Sequence, residues 1–177
     1  MKHALAWSAL AIMLMVNVAQ ASDEAARMRN LKKRAEAGQA EAQYGLGLSY
    51  IRGYGVPMDL AEAAKWIRKA AEQRHDEARV RLADMYTQGD GVPKDPTEAV
   101  KWLRKAAEGG HQIAQHKLGG AFLDGNGVPK DLVEAYAWFS VAEEPFNMGL
   151  VERLMTKEQF AEASKLARER IEKLPKR

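Results

Sequence analysis

Residues Ala71–Ala106 read AEQRHDEARVRLADMYTQGDGVPKDPTEAVKWLRKA, and the pattern recurs 36 positions earlier, over Ala35–Ala70, and 36 positions later, over Ala107–Ala142. Glu36, Glu72 and Glu108 align, as do Ala42, Ala78 and Ala114, and Leu46, Leu82 and Leu118. The aromatics Tyr50, Tyr86 and Phe122 share one position, and Trp66, Trp102 and Trp138 another. The strongest agreement is GYGVPMD at 53–59, GDGVPKD at 89–95 and GNGVPKD at 125–131. A fixed period of this length decides architecture before any single residue is weighed.

Within a unit the apolar residues recur at helical spacing: Ala78, Leu82 and Tyr86, then Ala99, Trp102, Leu103 and Ala106. The first run stops at Gly89, with Gly53 and Gly125 as its equivalents, and glycine suits the left-handed conformation that closes a helix. Asp95 starts the second run as an N-cap, with Glu98 three places on to complete a reciprocal capping box. Asp59 with Glu62 and Asp131 with Glu134 repeat the pairing, and Pro96 takes the first helical position, where no hydrogen bond is lost. Each unit is therefore predicted to be two antiparallel helices joined by a Gly-x-Gly-Val-Pro turn. Neither helix buries its apolar stripe alone, so the units must stack into an all-α solenoid.

The pattern A-x-x-x-L-G-x-x-Y-x-x-G-x-G-V-P-x-D-x-x-x-A-x-x-W-x-x-x-A resembles the Sel-1-like repeat, a relative of the tetratricopeptide repeat with a longer turn between its helices. The first unit supplies it as Ala42, Leu46, Gly47, Tyr50, Gly53, Gly55, Val56, Pro57, Asp59, Ala63, Trp66 and Ala70. The second unit departs with Ala83 for the small glycine, and the third with Phe122 for tyrosine. The resemblance implies a right-handed solenoid whose first helices line the concave face, used by members of the family as an adaptor surface for proteins.

Ahead of the repeats, Lys2 and His3 precede an almost uninterrupted apolar run, Ala4–Val18, and Ala19-Gln20-Ala21 offers a small-x-small cleavage site. Residues 1–21 read as a secretory signal peptide. The run is shorter than the roughly 20 apolar residues that span a bilayer, so no stable membrane insertion follows cleavage. The chain contains no cysteine, which excludes disulfides and a lipid-modified cysteine anchor; a periplasmic location is expected. Removing Lys2 with the leader leaves 26 basic against 24 acidic side chains, a surplus too small to indicate a nucleic-acid partner.

Residues 22–34 read as a polar N-terminal capping helix, the second helix of a missing unit. Asp23, Leu31 and Ala35 stand 36 before Asp59, Ile67 and Ala71, while Asn30 replaces the tryptophan. Arg27, Arg29, Lys32, Lys33 and Arg34 give it a solvated face, or one that meets an anionic partner. The repeats occupy 35–70, 71–106 and 107–142. Residues 143–177 then form a degenerate fourth hairpin and a C-terminal capping helix. Leu150 and Leu154 fall 36 after Ala114 and Leu118 and place a first helix over Asn147–Met155. Thr156 and Gln159 form a capping box for a last helix that presents Phe160, Ala163, Ala167 and Ile171 on one face. Met155–Arg168 resembles the closing segment of bacterial family members.

Reactive groups are sparse. His75 and His111 share one repeat position at the start of a helix, which makes them caps, and His116 stands about 140° round from His111 on that helix. No metal or cofactor is expected. There is no G-x-S-x-G and no S-x-x-K, and the glycine pairs lack the Lys-Ser/Thr of a phosphate loop. At Asp124-Gly125-Asn126 a calcium loop fails at Val128.

What remains is surface. The inward, non-core positions that the resemblance implies are Glu41, Tyr44, Leu48, Ile51 and Arg52, then Glu77, Val80, Asp84, Thr87 and Gln88, then Ile113, His116, Gly120, Leu123 and Asp124. Tyr44, Leu48, Ile51, Arg52, Val80, Asp84, Gln88 and His116 are the candidate partner-binding residues, the first four forming the best cluster, since aromatic and arginine anchors dominate interface energetics. The expected protein is a monomeric, non-catalytic adaptor of the bacterial envelope with a protein partner. The alternative is a hydrolase acting on β-lactam or cell-wall-like substrates, an activity described for cysteine-rich relatives.

Overall fold

The computed structural model describes residues 22–175; the leader assigned to 1–21 lies outside them, as do the last two residues. Every regular element among the described residues is an α-helix, as the repeat predicts. The described chain opens in α1, 22–36. Three hairpins follow: α2 (Ala40–Arg52) with α3 (Leu60–Glu72), α4 (Asp76–Gln88) with α5 (Pro96–Glu108), and α6 (Gln112–Asp124) with α7 (Leu132–Val141). Two further helices close the chain, α8 (Pro145–Glu152) and α9 (Lys157–Lys173). Each second helix also packs on the next first helix, which makes the array a solenoid.

The turn residues act as their chemistry requires. Gly53, Gly89 and Gly125 close α2, α4 and α6 at φ of 68°, 86° and 74°. Asp59, Asp95 and Asp131 cap α3, α5 and α7 by accepting the backbone N–H of Glu62, Glu98 and Glu134. The reciprocal half of these three predicted boxes does not form, whereas both halves of the box predicted at Thr156 and Gln159 do, at 2.9 and 3.2 Å. Glu62 and Glu98 turn to Lys65 and Lys101 at 2.8 and 2.7 Å, since a lysine one turn on offers a charged donor on the same face.

Two close approaches fix how the helices stack. Within the first and third hairpins, a methyl group added at Gly47 or Gly119 would stand 2.5 Å from Ile67 Cγ1 or 2.9 Å from the Phe139 ring. Between hairpins, the second glycine of the second and third turns rests on the start of the preceding unit's second helix. A Cβ on Gly91 would lie 2.0 Å from the Leu60 carbonyl oxygen, and one on Gly127 2.2 Å from that of Pro96. Both glycines have positive φ, 69° and 78°. The turn is thus a spacer between units as well as a reversal of the chain.

The main core runs without a break from α3 to α9, through Ile67, Leu82, Met85, Leu103, Leu118, Phe139 and Val151. A smaller cluster of Met28, Ala35, Ala42, Leu46 and Val56 docks α1 on the first hairpin.

The C-terminal end corrects two sequence expectations. Leu150 and Leu154 do not repeat the burial of Ala114 and Leu118; they are 46% and 56% exposed, and α8 buries Val151 instead. The reason is that α9 packs on α7 rather than pairing with α8, so the face that would meet a hairpin partner is left bare. Ile171 is also half exposed, while Ala163 and Ala167 are buried, Phe160 packs edge-on against Tyr136, and Leu174 joins the core margin.

What holds α9 in place is a substitution for two lysines. In the first two units Lys65 and Lys101 neutralise Glu62 and Glu98, while Lys69 and Lys105 lie 4.0 and 4.1 Å over Trp66 and Trp102. The third unit has Ala137 and Val141 at those positions. Arg170 from α9 does both jobs. Its Nη2 donates to the two oxygens of Glu134 at 2.8 and 2.7 Å, and its guanidinium sits 4.3 Å from the Trp138 ring centre.

Two stability outcomes follow from these contacts. Gly91→Ala combines a disfavoured φ with a backbone clash and is expected to cost about 3 kcal/mol in urea unfolding. At Gly38, where φ is also positive but no atom lies within 4 Å of an added Cβ, the same change should cost only about 1 kcal/mol. Arg170→Met should remove about 2 kcal/mol by leaving part-buried Glu134 with only the Trp138 indole N–H at 3.1 Å, with α9 the first segment cut in limited proteolysis.

Candidate functional site

The first helices of the units, α2, α4 and α6, stand in a row and are tied to one another by polar side chains. At one repeat position the residue reaches back to the end of the preceding second helix. Gln43 Nε2 donates to the Ala35 carbonyl, Arg79 Nε to that of Ala71 and Gln115 Nε2 to that of Ala107, at 3.1, 3.1 and 3.0 Å. Each of these carbonyls also accepts a backbone N–H of its own helix end, from Gly38, Arg74 and Gly110, so the side chain supplies a second hydrogen bond that ties the next unit to it. Three polar contacts cross from one first helix to the next: Glu41 with His75, the Asp84–Lys117 ion pair at 2.8 Å, and His116 with Glu144 at 3.4 Å.

His75 and His111 are N-caps, as their repeat position predicts. Each accepts a backbone N–H through Nδ1, from Ala78 and Ala114. That fixes the proton of His75 on Nε2, which donates to Glu41 at 2.9 Å.

The eight candidate residues do not form one patch. Tyr44, Leu48 and Ile51 lie half-buried along α2, with Tyr44 and Ile51 against the core margin, and Arg52 is exposed beside them. The Tyr44 ring stacks on His75 with centres 4.7 Å apart. Burial pushes the Tyr44 hydroxyl above its ordinary pKa; Arg81 and Arg52 pull it down, and Glu77 and Glu41 push it up. Tyr44 is therefore the centre of a mixed-charge cluster shared by α2 and α4. Val80 corrects the sequence expectation: it is 8% exposed and belongs to the core, because α4 turns that face toward its neighbours. Asp84 is engaged by Lys117, Gln88 is exposed at the end of α4, and the His116 ring leans on Phe139 at 5.7 Å.

Sequence reasoning missed Arg81, Gln43, Gln115 and Lys117. Arg81 and Lys117 share a repeat position where the first unit has Gly45, and that variation was the available signal. Gln43 and Gln115 are polar in an otherwise alanine-rich stretch and are 5% and 2% exposed, a burial visible only with the preceding helix in place.

Hydroxyls that could serve as nucleophiles are turned inward on their own helices. Ser49 Oγ donates to the Gly45 carbonyl and Thr87 Oγ1 to that of Ala83. Among the described residues no three His, Asp or Glu side chains converge as metal ligands, and no helix is long and apolar enough to cross a membrane. The arrangement offers shape, charge and an aromatic anchor.

These features define a helical-repeat scaffold. The Sel1 repeat model matches residues 40–75, 76–111 and 112–144, and the chain belongs to the Sel1 repeat family, whose members are generally protein-interaction modules. A protective antigen present in uropathogenic Escherichia coli strains, displaying an SLR fold, is 37% identical with a TM-score of 0.74. The alignment covers 81% of this chain and 32% of that one, so this chain spans about a third of its length. A Sel1 repeat protein from Oxalobacter formigenes is also 37% identical, with a TM-score of 0.62, over 72% of this chain and 96% of that one. No curated protein sequence matches the chain.

Gln115→Ala should remove one buried hydrogen bond, the Ala107 carbonyl keeping that of the Gly110 N–H at 3.0 Å, and cost about 1 kcal/mol in chemical denaturation. Gln115→Arg, which copies Arg79 of the second unit, should recover most of that loss.

Proposed function

We propose that this chain is a non-catalytic adaptor of the bacterial cell envelope, reached through its apolar leader, and that it works as a monomer. Its protein partner docks on the concave face formed by the first helices. The observation that carries this reading is the α2 cluster: Tyr44, Leu48 and Ile51 offer a half-buried apolar strip, with Arg52 exposed at its end. A rigid aromatic and an arginine on a helix fixed from both sides are the kind of anchor that concentrates binding energy. Arg81, Glu41 and Glu77 around Tyr44 supply charges of both signs, which favours a partner surface of mixed charge over a polyanion.

The test is site-specific photocrosslinking in the periplasm from Leu48 or Arg52, with exposed Glu172 on α9 as the control position. A discrete crosslinked protein from α2 but not α9 is expected. Tyr44→Ala with Arg52→Ala should weaken its binding about 30-fold or more while leaving the far-ultraviolet circular dichroism unchanged. Equal capture by the double variant would count against this face.

A further inference from the structure

We propose that the pocket enclosed by α5, α7 and α9 binds an apolar-tailed monocarboxylate, held by Arg104 and Arg170. The pocket has a volume of about 380 Å³, within the range for small-molecule sites. It is separate from the face formed by the first helices, so either assignment can fail alone.

The repeat itself shows why Arg104 lacks an acceptor. Its equivalent, Arg68, donates to the Tyr86 hydroxyl and lies over that ring at 5.5 Å. Arg104 lies over Phe122 at 5.7 Å, and phenylalanine has no hydroxyl to accept. Among the described residues Arg104 makes no hydrogen bond or ion pair. Arg170 has a related surplus: Nη2 is engaged by Glu134, whereas Nη1 is buried and finds no acceptor among protein atoms. Two guanidinium groups therefore line one cavity, and that of Arg104 has no protein acceptor. A guanidinium fork matches the geometry of a carboxylate, and a buried donor without an acceptor is costly.

The rest of the lining sets the ligand's shape and charge. Trp138, Leu166 and Leu174 give an apolar wall, which calls for a tail. The Arg170 charge is met by Glu134, and Arg104 and Lys173 balance Glu108 and Glu169. A single negative charge disturbs that balance least; a phosphate dianion would be repelled by the two carboxylates. Such a carboxylate could be a free acid or the C-terminus of a peptide that ends in an apolar residue.

The full chain is titrated with sodium octanoate while the Trp138 indole N–H is followed in proton–nitrogen correlation spectra. A saturable shift is expected, and octanamide should bind about tenfold more weakly, the worth of a charge-assisted hydrogen bond. Arg104→Gln should weaken octanoate about tenfold. Phe122→Tyr should do the same by giving Arg104 the acceptor that Tyr86 gives Arg68, and it leaves the Arg170–Glu134 contact and the melting temperature intact. Acetyl-Ala-Ala-Leu with a free carboxylate binding about tenfold tighter than octanoate would assign the peptide terminus, and any weaker result the free acid. The proposal is overturned if neither probe saturates, if acid and amide bind alike, if both variants bind as the parent does, or if inorganic phosphate displaces octanoate.

Discussion

Helices in this protein approach one another through alanine and glycine, and the stacking depends on that closeness. Ala63, Ala70, Ala71, Ala78, Ala106, Ala107 and Ala114 are all fully buried at crossings between helices. Small residues let backbones come near enough for the larger ones, Leu46, Ile67, Leu82 and Leu118, to be fully buried between them. The turn glycines extend the same constraint outside the helices: Gly91 and Gly127 sit where any side chain would strike the preceding unit. Spacing between units is thus set by contact at both the core and the turn.

A solenoid built this way needs ends that stop the stacking. At the N-terminus α1 offers Met28 and Ala35 to the first hairpin and mostly charged side chains to water. At the other end the third unit lacks the lysines that complete the first two, and Arg170 from α9 replaces both. An arginine suits this because one planar group can pair with a carboxylate and cover an indole at the same time. Closure on α7 leaves α8 as a short helix with Phe146, Leu150 and Leu154 in solvent.

Polar residues act here mainly as couplers between units. Gln43, Arg79 and Gln115 donate to carbonyls of the preceding helix, and the Glu41–His75, Asp84–Lys117 and His116–Glu144 contacts join successive first helices. The row behaves as a scaffold whose side chains are already committed at many positions. Tyr44, Leu48, Ile51 and Arg52 on one face, and Arg104 with Arg170 on another, are the residues proposed to bind partners.

The sequence alone determined the architecture, because a 36-residue period with helical spacing, capping aspartates and closing glycines leaves only stacked hairpins. It also placed His75 and His111 as caps, since their role is local to one helix start. Tertiary structure decided everything that depends on which helix covers which face. Leu150 and Leu154 keep the repeat's apolar spacing and lose its burial because α9 lies on α7; Val80 looks like surface and is core. Arg104 and Arg170 lie 66 positions apart, and their meeting in one cavity depends on the fold that brings α9 back over α5. Periodicity encodes neighbours along the array, whereas the break in periodicity at its end is resolved by packing.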